Sequence, residues 1–117
     1  MIKGIGIDIV ELDRIKRLLY KNDRFQKRIL TDNELDMMKR YSEKRKVEFI
    51  AGRFAAKEAF GKAMGTGISG NYGFQDIEVV ANRSGKPSIL AVGIEEIIHV
   101  SISHSEEYAV AQVVLES

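Results

Sequence analysis

With 117 residues, 44% of them hydrophobic, the sequence has the length and apolar content for one domain spanning residues 1–117, although its surface-to-volume ratio at this size means that assembly would help. It has no cysteine, which excludes disulfides, thiolate metal sites and cysteine nucleophiles, and its single proline and lack of low-complexity tracts argue against disorder. The net charge of +1 names no partner and nucleic acid is not expected, no membrane is expected because no apolar run approaches the ~20 residues of a membrane span, and the opening Met1-Ile2-Lys3-Gly4-Ile5 is strand-like rather than leader-like, so a cytoplasmic protein is expected.

Residues 4–10 alternate small and branched side chains and read as a strand, with Ile5, Ile7 and Ile9 on one face and Asp8 on the other. Asp13 is placed to cap a helix running to about Tyr20 or beyond, with Asn22-Asp23 a possible break. Between Asp13 and Arg28 stand seven bases and two acids. Arg14, Arg17, Lys21, Arg24 and Arg28 follow one another at helical spacing, while Ile15, Leu18, Phe25 and Ile29 fall on a separate, core-facing side. Such a row recognises something anionic or is simply a solvated face. Thr31-Asp32-Asn33-Glu34 has capping-box form and opens a short helix to about Arg40. Ser42 caps a longer helix to about Met64, stopped by Gly65-Thr66-Gly67.

After a loop at residues 68–73, residues 74–81 read as a strand, 82–87 as a turn and 88–92 as the return strand. Residues 93–97 read as a helical turn, and residues 99–103 and 108–115 as two further strands. Helices early and hairpin-linked strands late predict an α+β fold: a long central helix, shorter N-terminal helices and a mainly antiparallel sheet. Tyr41, Tyr108 and the remaining aromatics are expected in the core.

On the long helix, Phe49, Ala56, Phe60, Ala63 and Met64 gather as a core stripe at ~100° per residue. Glu58 and Lys62 stack at i,i+4 roughly opposite, and small Ala51 and Ala55 beside them would leave both charges open to a ligand. An ordinary surface ion pair has the same spacing. Asp8 is an acid in an otherwise apolar strand, and a buried carboxylate needs a cation or donors. It either caps the strand end or shares a divalent ion with Glu58, and two carboxylates without nearby His or Cys suit Mg²⁺. Neither glycine string is a phosphate-binding fingerprint: Gly4-Ile5-Gly6 lacks the third glycine and following helix, and Gly65-Thr66-Gly67 ends a helix rather than starting one.

Gly4-Ile5-Gly6-Ile7-Asp8-Ile9-Val10-Glu11 resembles the opening of bacterial holo-acyl-carrier-protein synthases, the short 4'-phosphopantetheinyl transferases. The stretch Arg53-Phe54-Ala55-Ala56-Lys57-Glu58-Ala59-Phe60-Gly61-Lys62-Ala63-Met64-Gly65-Thr66-Gly67 is similar to their second signature. Phe74-Gln75-Asp76-Ile77-Glu78, Gly85-Lys86-Pro87 and Val100-Ser101-Ile102-Ser103-His104-Ser105 resemble three further blocks in the same order. The resemblance implies transfer of 4'-phosphopantetheine from coenzyme A to a serine of apo-acyl carrier protein, releasing 3',5'-ADP, in fatty acid biosynthesis. It implies that Asp8 and Glu58 bind Mg²⁺ with the pyrophosphate and that Lys62 contacts phosphate oxygens, these three being the catalytic set. It places Lys44, Arg45 and His104, with Arg53, Gly65, Lys86 and Pro87, around coenzyme A and its 3'-phosphate. Arg14, Arg24, Phe25 and Arg28 would face the acidic carrier protein, and the enzyme would be a homotrimer with active sites between subunits.

Such chemistry rests on positioning and charge neutralisation. The base for the serine proton would be Glu58 or a water on the metal. Two other readings are weaker. Ser103-His104-Ser105 suggests a serine hydrolase, but neighbours in a strand point to opposite faces. A non-catalytic module for an acidic protein explains the basic row but leaves Asp8, Glu58 and Lys62 without a role.

Overall fold

In a computed structural model describing residues 1–68 and 73–117, the chain runs β1 (Ile2–Glu11), α1 (Leu12–Lys21), α2 (Arg24–Ile29), α3 (Asp32–Met38), α4 (Glu43–Met64), a 3-10 turn (Phe74–Asp76), β2 (Ile77–Ala81), β3 (Pro87–Ala91), β4 (Ile97–His104) and β5 (Tyr108–Glu116). The α+β arrangement is as expected. Strands β1, β5 and β4 form an antiparallel sheet in that order, and β2 and β3 pair as a separate antiparallel ribbon. Most of the loop expected at residues 68–73 lies outside the described residues.

Alternation in the strands decides how α4 docks. Gly4, Gly6, Asp8 and Val10 share the inner face of β1, opposite Leu115, Val113, Ala111 and Ala109 of β5. A Cβ on Gly4 would run into the Ala63 carbonyl, and one on Gly6 into that of Ala59. The two glycines therefore let the α4 backbone lie directly on β1. The branched residues point the other way: Ile5, Ile7 and Ile9 are 59%, 57% and 64% exposed.

The sheet covers one side of α4, and α1 and α2 pack against the helix too. Here the helix differs from expectation. Ala51, Ala55 and Ala59 are fully buried along with Phe49 and Phe60, so Ala51 and Ala55 are packing surface rather than the open floor of a ligand slot. Small residues on several faces admit neighbours on several sides.

Three of the four predicted helix-end signals, at Thr31, Ser42 and Gly65, are present. Thr31 Oγ1 accepts from the Glu34 amide at 3.3 Å while Glu34 accepts from the Thr31 amide at 2.8 Å. Ser42 Oγ accepts from the Arg45 amide at 3.2 Å, and Gly65 closes α4 at φ +83°, where a side chain would be strained. Three local expectations are corrected. Asp13 sits inside the first turn of α1, whose cap is Glu11 without a side-chain bond. Residues 74–76 form a 3-10 turn instead of the start of β2, with the Asp76 carboxylate accepting from the Gly73 amide at 2.9 Å. Residues 93–97 are not helical: Gly93 takes φ +79° in a turn leading into β4. Tyr41 packs edge-on against Phe49, but Tyr20 and Tyr108 are exposed, since one lies on the outward side of α1 and the other on the outer face of β5.

A buried polar knot joins the layers. Lys57 and Glu34 are both 0% exposed. The Lys57 ammonium donates to Glu34 Oε1 at 2.6 Å, to the Ile29 carbonyl at 2.7 Å and to the Phe74 carbonyl at 3.1 Å. Glu34 Oε2 accepts from the Val79 amide at 2.8 Å. Burial still pulls the Lys57 ammonium below the ordinary lysine range, with Glu34 opposing.

Candidate active site

Asp8 faces α4 because its place in the strand alternation is that of Gly4, Gly6 and Val10. There α4 presents Glu58 and Lys62. The Lys62 ammonium donates to Asp8 Oδ1 at 3.0 Å and to the Ile7 carbonyl at 2.9 Å. Asp8 is thus the ion-pair partner of Lys62, where the i,i+4 spacing suggested Glu58. The Asp8 side chain is 17% exposed and that of Lys62 is 53% exposed, so the carboxylate is held in the wall while the cation reaches outward. Burial pushes the Glu58 carboxyl above the ordinary glutamate range, and the Asp8 charge pushes it the same way. Lys62 and then Arg14 of α1 pull it down less strongly.

Two carboxylates that repel each other across a half-buried slot offer hard oxygen donors to a cation, which would relieve that repulsion. Among the described residues no group of three or more His, Asp or Glu side chains is arranged to hold a metal. A pair suits Mg²⁺, which takes one or two carboxylates and fills its remaining positions with water and phosphate oxygens.

A second cluster lies at the N-terminal end of α4. Lys44, Glu48 and His104, with Lys16 and Tyr20 of α1, line a cavity of about 770 Å³. Glu48 stands between two of the expected phosphate ligands: Arg45 Nη1 is 3.8 Å from its Oε1 and His104 Nδ1 is 3.7 Å from its Oε2. Sequence reasoning missed Glu48, although an acid three residues after Arg45 in a basic run was a usable signal.

Other expected contacts are dispersed. Arg53 turns inward, its guanidinium 3.9 Å over the Phe49 ring and its buried Nε without a partner. Gly65 spends its amide on Lys62's carbonyl at 3.0 Å. Lys86 and Pro87 follow the Asn82 turn of the β2–β3 hairpin, where Asn82 Oδ1 accepts from the Lys86 amide at 2.9 Å. None of these four lines the Lys44–His104 cavity. Ser105 and His104 do not form a couple: Ser105 Oγ accepts from the Tyr108 amide at 3.2 Å while His104 engages Glu48.

Arg14, Arg17, Lys21, Arg24 and Arg28 are all exposed, running over α1 and α2 with the expected break between them. Asp13 neutralises Arg17 at 2.9 Å. Phe25 is half-buried in an aromatic file with Phe54 and Phe74, each adjacent pair of rings 5.8 Å apart.

The sequence model of the 4'-phosphopantetheinyl transferase superfamily matches residues 4–113. A holo-acyl-carrier-protein synthase of Halalkalibacterium halodurans is 59% identical over 116 residues, covering 99% of this chain and 97% of that one. The synthase of Bacillus subtilis is 56% identical over 117 residues, again covering 99% and 97%. The fold is similar to a crystal structure of a holo-acyl-carrier-protein synthase from Bacillus anthracis in complex with CoA (3',5'-ADP), with TM-score 0.94, 56% identity and 100% and 98% of the two chains covered. It is also similar to the Helicobacter pylori synthase in complex with coenzyme A, with TM-score 0.85, 33% identity and 96% and 99% covered. With both signatures in the matched span and the carboxylate–ammonium cluster where they meet, this chain belongs to the 4'-phosphopantetheinyl transferase superfamily.

Proposed function

We propose that the chain transfers 4'-phosphopantetheine from coenzyme A to a serine hydroxyl of an apo-acyl carrier protein, in the service of fatty acid biosynthesis in the cytoplasm. The observation that carries the reading is the Asp8–Lys62–Glu58 cluster, in a chain aligned end to end with synthases of that name. The serine oxygen forms a bond to the β-phosphorus, the bond from that phosphorus to the bridging oxygen breaks, and 3',5'-ADP leaves. Asp8 and Glu58 would hold Mg²⁺, whose charge offsets that developing on the phosphate oxygens. Lys62, half-exposed and anchored by Asp8 and the Ile7 carbonyl, adds a fixed positive charge beside the transferring phosphate. The serine proton would go to Glu58, whose carboxyl burial holds above its ordinary range, or to a water on the metal. A module that only docks acidic protein would leave this cluster unused.

Lys44, Arg45 and His104 would take the 3'-phosphate, with Arg53, Gly65, Lys86 and Pro87 as the outer contacts of coenzyme A. Arg45 and Glu58 stand 13 positions apart on α4, roughly 20 Å at the helical rise, whereas one ribose separates the 3'-phosphate from the pyrophosphate. A second copy supplying the 3'-phosphate contacts removes the conflict, and the exposed row Ile5, Ile7 and Ile9 gives copies an apolar surface to share. A homotrimer with sites between subunits fits both points. No described helix is long and apolar enough to cross a membrane.

Intact-mass analysis of an apo carrier protein incubated with coenzyme A, with and without Mg²⁺, tests the reading. A phosphopantetheine mass gain only with enzyme and metal is expected. No gain in any condition would overturn it.

A further inference from the structure

We propose that Gln75 is a positioning residue for carrier-protein recognition: it fastens the C-terminal end of α2 and so fixes where Arg24, Phe25 and Arg28 stand. The proposal rests on the reading of α2 as docking surface and names a residue outside it.

Helix α2 has only six residues, and its N-cap, Asp23, makes no side-chain cap bond. A helix this short has no stability of its own, and its last carbonyls lack intrahelical partners. Two side chains distant in sequence supply donors. Gln75 Nε2 donates to the Lys27 carbonyl at 2.8 Å and the Leu30 carbonyl at 2.7 Å, with the Arg28 carbonyl at 3.3 Å sharing the same hydrogens. Lys57 Nζ takes the Ile29 carbonyl at 2.7 Å. Four consecutive carbonyls, from Lys27 to Leu30, are therefore held from outside the helix.

The two fasteners differ in what else they do. Lys57 also neutralises buried Glu34 and holds the Phe74 carbonyl, so removing it disturbs the core. Gln75 is exposed, and its amide is directed at these carbonyls alone among its hydrogen bonds. Its loss should therefore loosen α2 without reaching the nucleotide contacts or the Asp8–Glu58 cluster, which lie on other elements. What suffers is the placement of Arg24, Phe25 and Arg28 on which carrier-protein binding would rest.

Gln75→Met keeps the side-chain length and removes both donors without adding charge. Steady-state kinetics with each substrate varied, plus hydrogen exchange of the α2 amides, provide the test. The expected result is a KM for the carrier protein raised about tenfold, the loss of one to two hydrogen bonds. The coenzyme A KM and kcat should stay within about twofold, and exchange should quicken in α2 but not in α4. A wild-type carrier-protein KM, or a rise in both KM values together, overturns the proposal, as does a variant that loses its fold, because Gln75 then has a structural task only. A paired Arg24→Glu/Arg28→Glu variant separates the two layers of argument. If it leaves the carrier-protein KM unchanged, the docking surface is not α2 and the Gln75 proposal falls with it. If it raises that KM while Gln75→Met does not, only the Gln75 proposal falls.

Discussion

Two lysines five positions apart on α4 each touch a carboxylate, Lys57 at 2.6 Å from Glu34 and Lys62 at 3.0 Å from Asp8, yet their loss should register in different measurements. Lys57→Met strands the Glu34 carboxylate in a fully buried site and removes the donor from the Ile29 and Phe74 carbonyls. Breaking a buried pair by removing one partner costs about 3–5 kcal/mol. That is a large part of the ~5–15 kcal/mol that holds a domain together, and at roughly 3–5 °C per kcal/mol for this size it lowers Tm by about 10–20 °C. Lys62→Met breaks a pair whose cation is 53% exposed, so stability should change by less than about 1 kcal/mol while kcat falls by at least about 100-fold. Urea melts and single-substrate kinetics on both variants decide. If Lys57→Met is no less stable than Lys62→Met, the buried knot is not what holds α4 to α2 and α3. If Lys62→Met keeps its kcat, its ammonium has no part in the transfer.

Asp8→Ala and Glu58→Ala should each abolish most turnover with the fold intact, since each removes an anionic ligand; near-normal rates at limiting Mg²⁺ would exclude the shared cation site. Because the folded-state pKa of Glu58 is raised, its ionised form is penalised at neutral pH and the penalty is relieved as pH falls through that pKa. Glu58→Gln should therefore raise Tm slightly while eliminating transfer, and wild-type activity should fall on the acid side above the ordinary glutamate pKa of about 4.3, with more Mg²⁺ moving that limb to lower pH. Arg45→Ala and His104→Ala should raise the KM for coenzyme A more than for 3'-dephospho-coenzyme A, and Glu48→Gln, which frees both side chains, should do the same more weakly; equal effects on the two substrates would move the 3'-phosphate elsewhere. Reversing Arg14 and Arg24 to Glu should raise the carrier-protein KM and flatten its salt dependence, and an unchanged salt slope would return the basic row to a solvated face.

Several short-range signals could be read in advance, though the cap of α1 and the turns at 74–76 and 93–97 could not. The capping box at Thr31, the Ser42 cap, the Gly65 stop and the break after Lys21 are short-range signals, and the structure contains them all. The pairing of Asp8 with Lys62 was not legible, because i,i+4 spacing favours Glu58 and only the docking of β1 on α4 brings Asp8 closer. Glu34 reads only as part of a capping box, and nothing local says that a third layer will bury it with Lys57, 23 positions on. The wheel for α4 found its core stripe, Phe49, Ala56, Phe60 and Ala63, but left out Ala51 and Ala55 for a related reason. A one-sided stripe presumes one neighbour, and a helix rich in alanine at the centre of the fold has several.

Adjacent residues on α4 consequently look in different directions, which links docking to chemistry. At ~100° per residue, Glu58 cannot share the surroundings of Lys57. Lys57 points into the layer of α2, α3 and the Phe74 turn, while Glu58 points toward Asp8 on β1. A shift or rotation of α4 would thus move the proposed metal ligand Glu58 and the anchor of the proposed docking helix together. Arg14 adds a second tie, since its charge reaches Glu58 from the basic row itself. On the proposed reading, a carrier-protein serine guided by that row would be delivered to a frame that also fixes Glu58 and Lys62. Helices α2, α3 and α4, tied through the buried Lys57 ammonium, have little freedom to move apart.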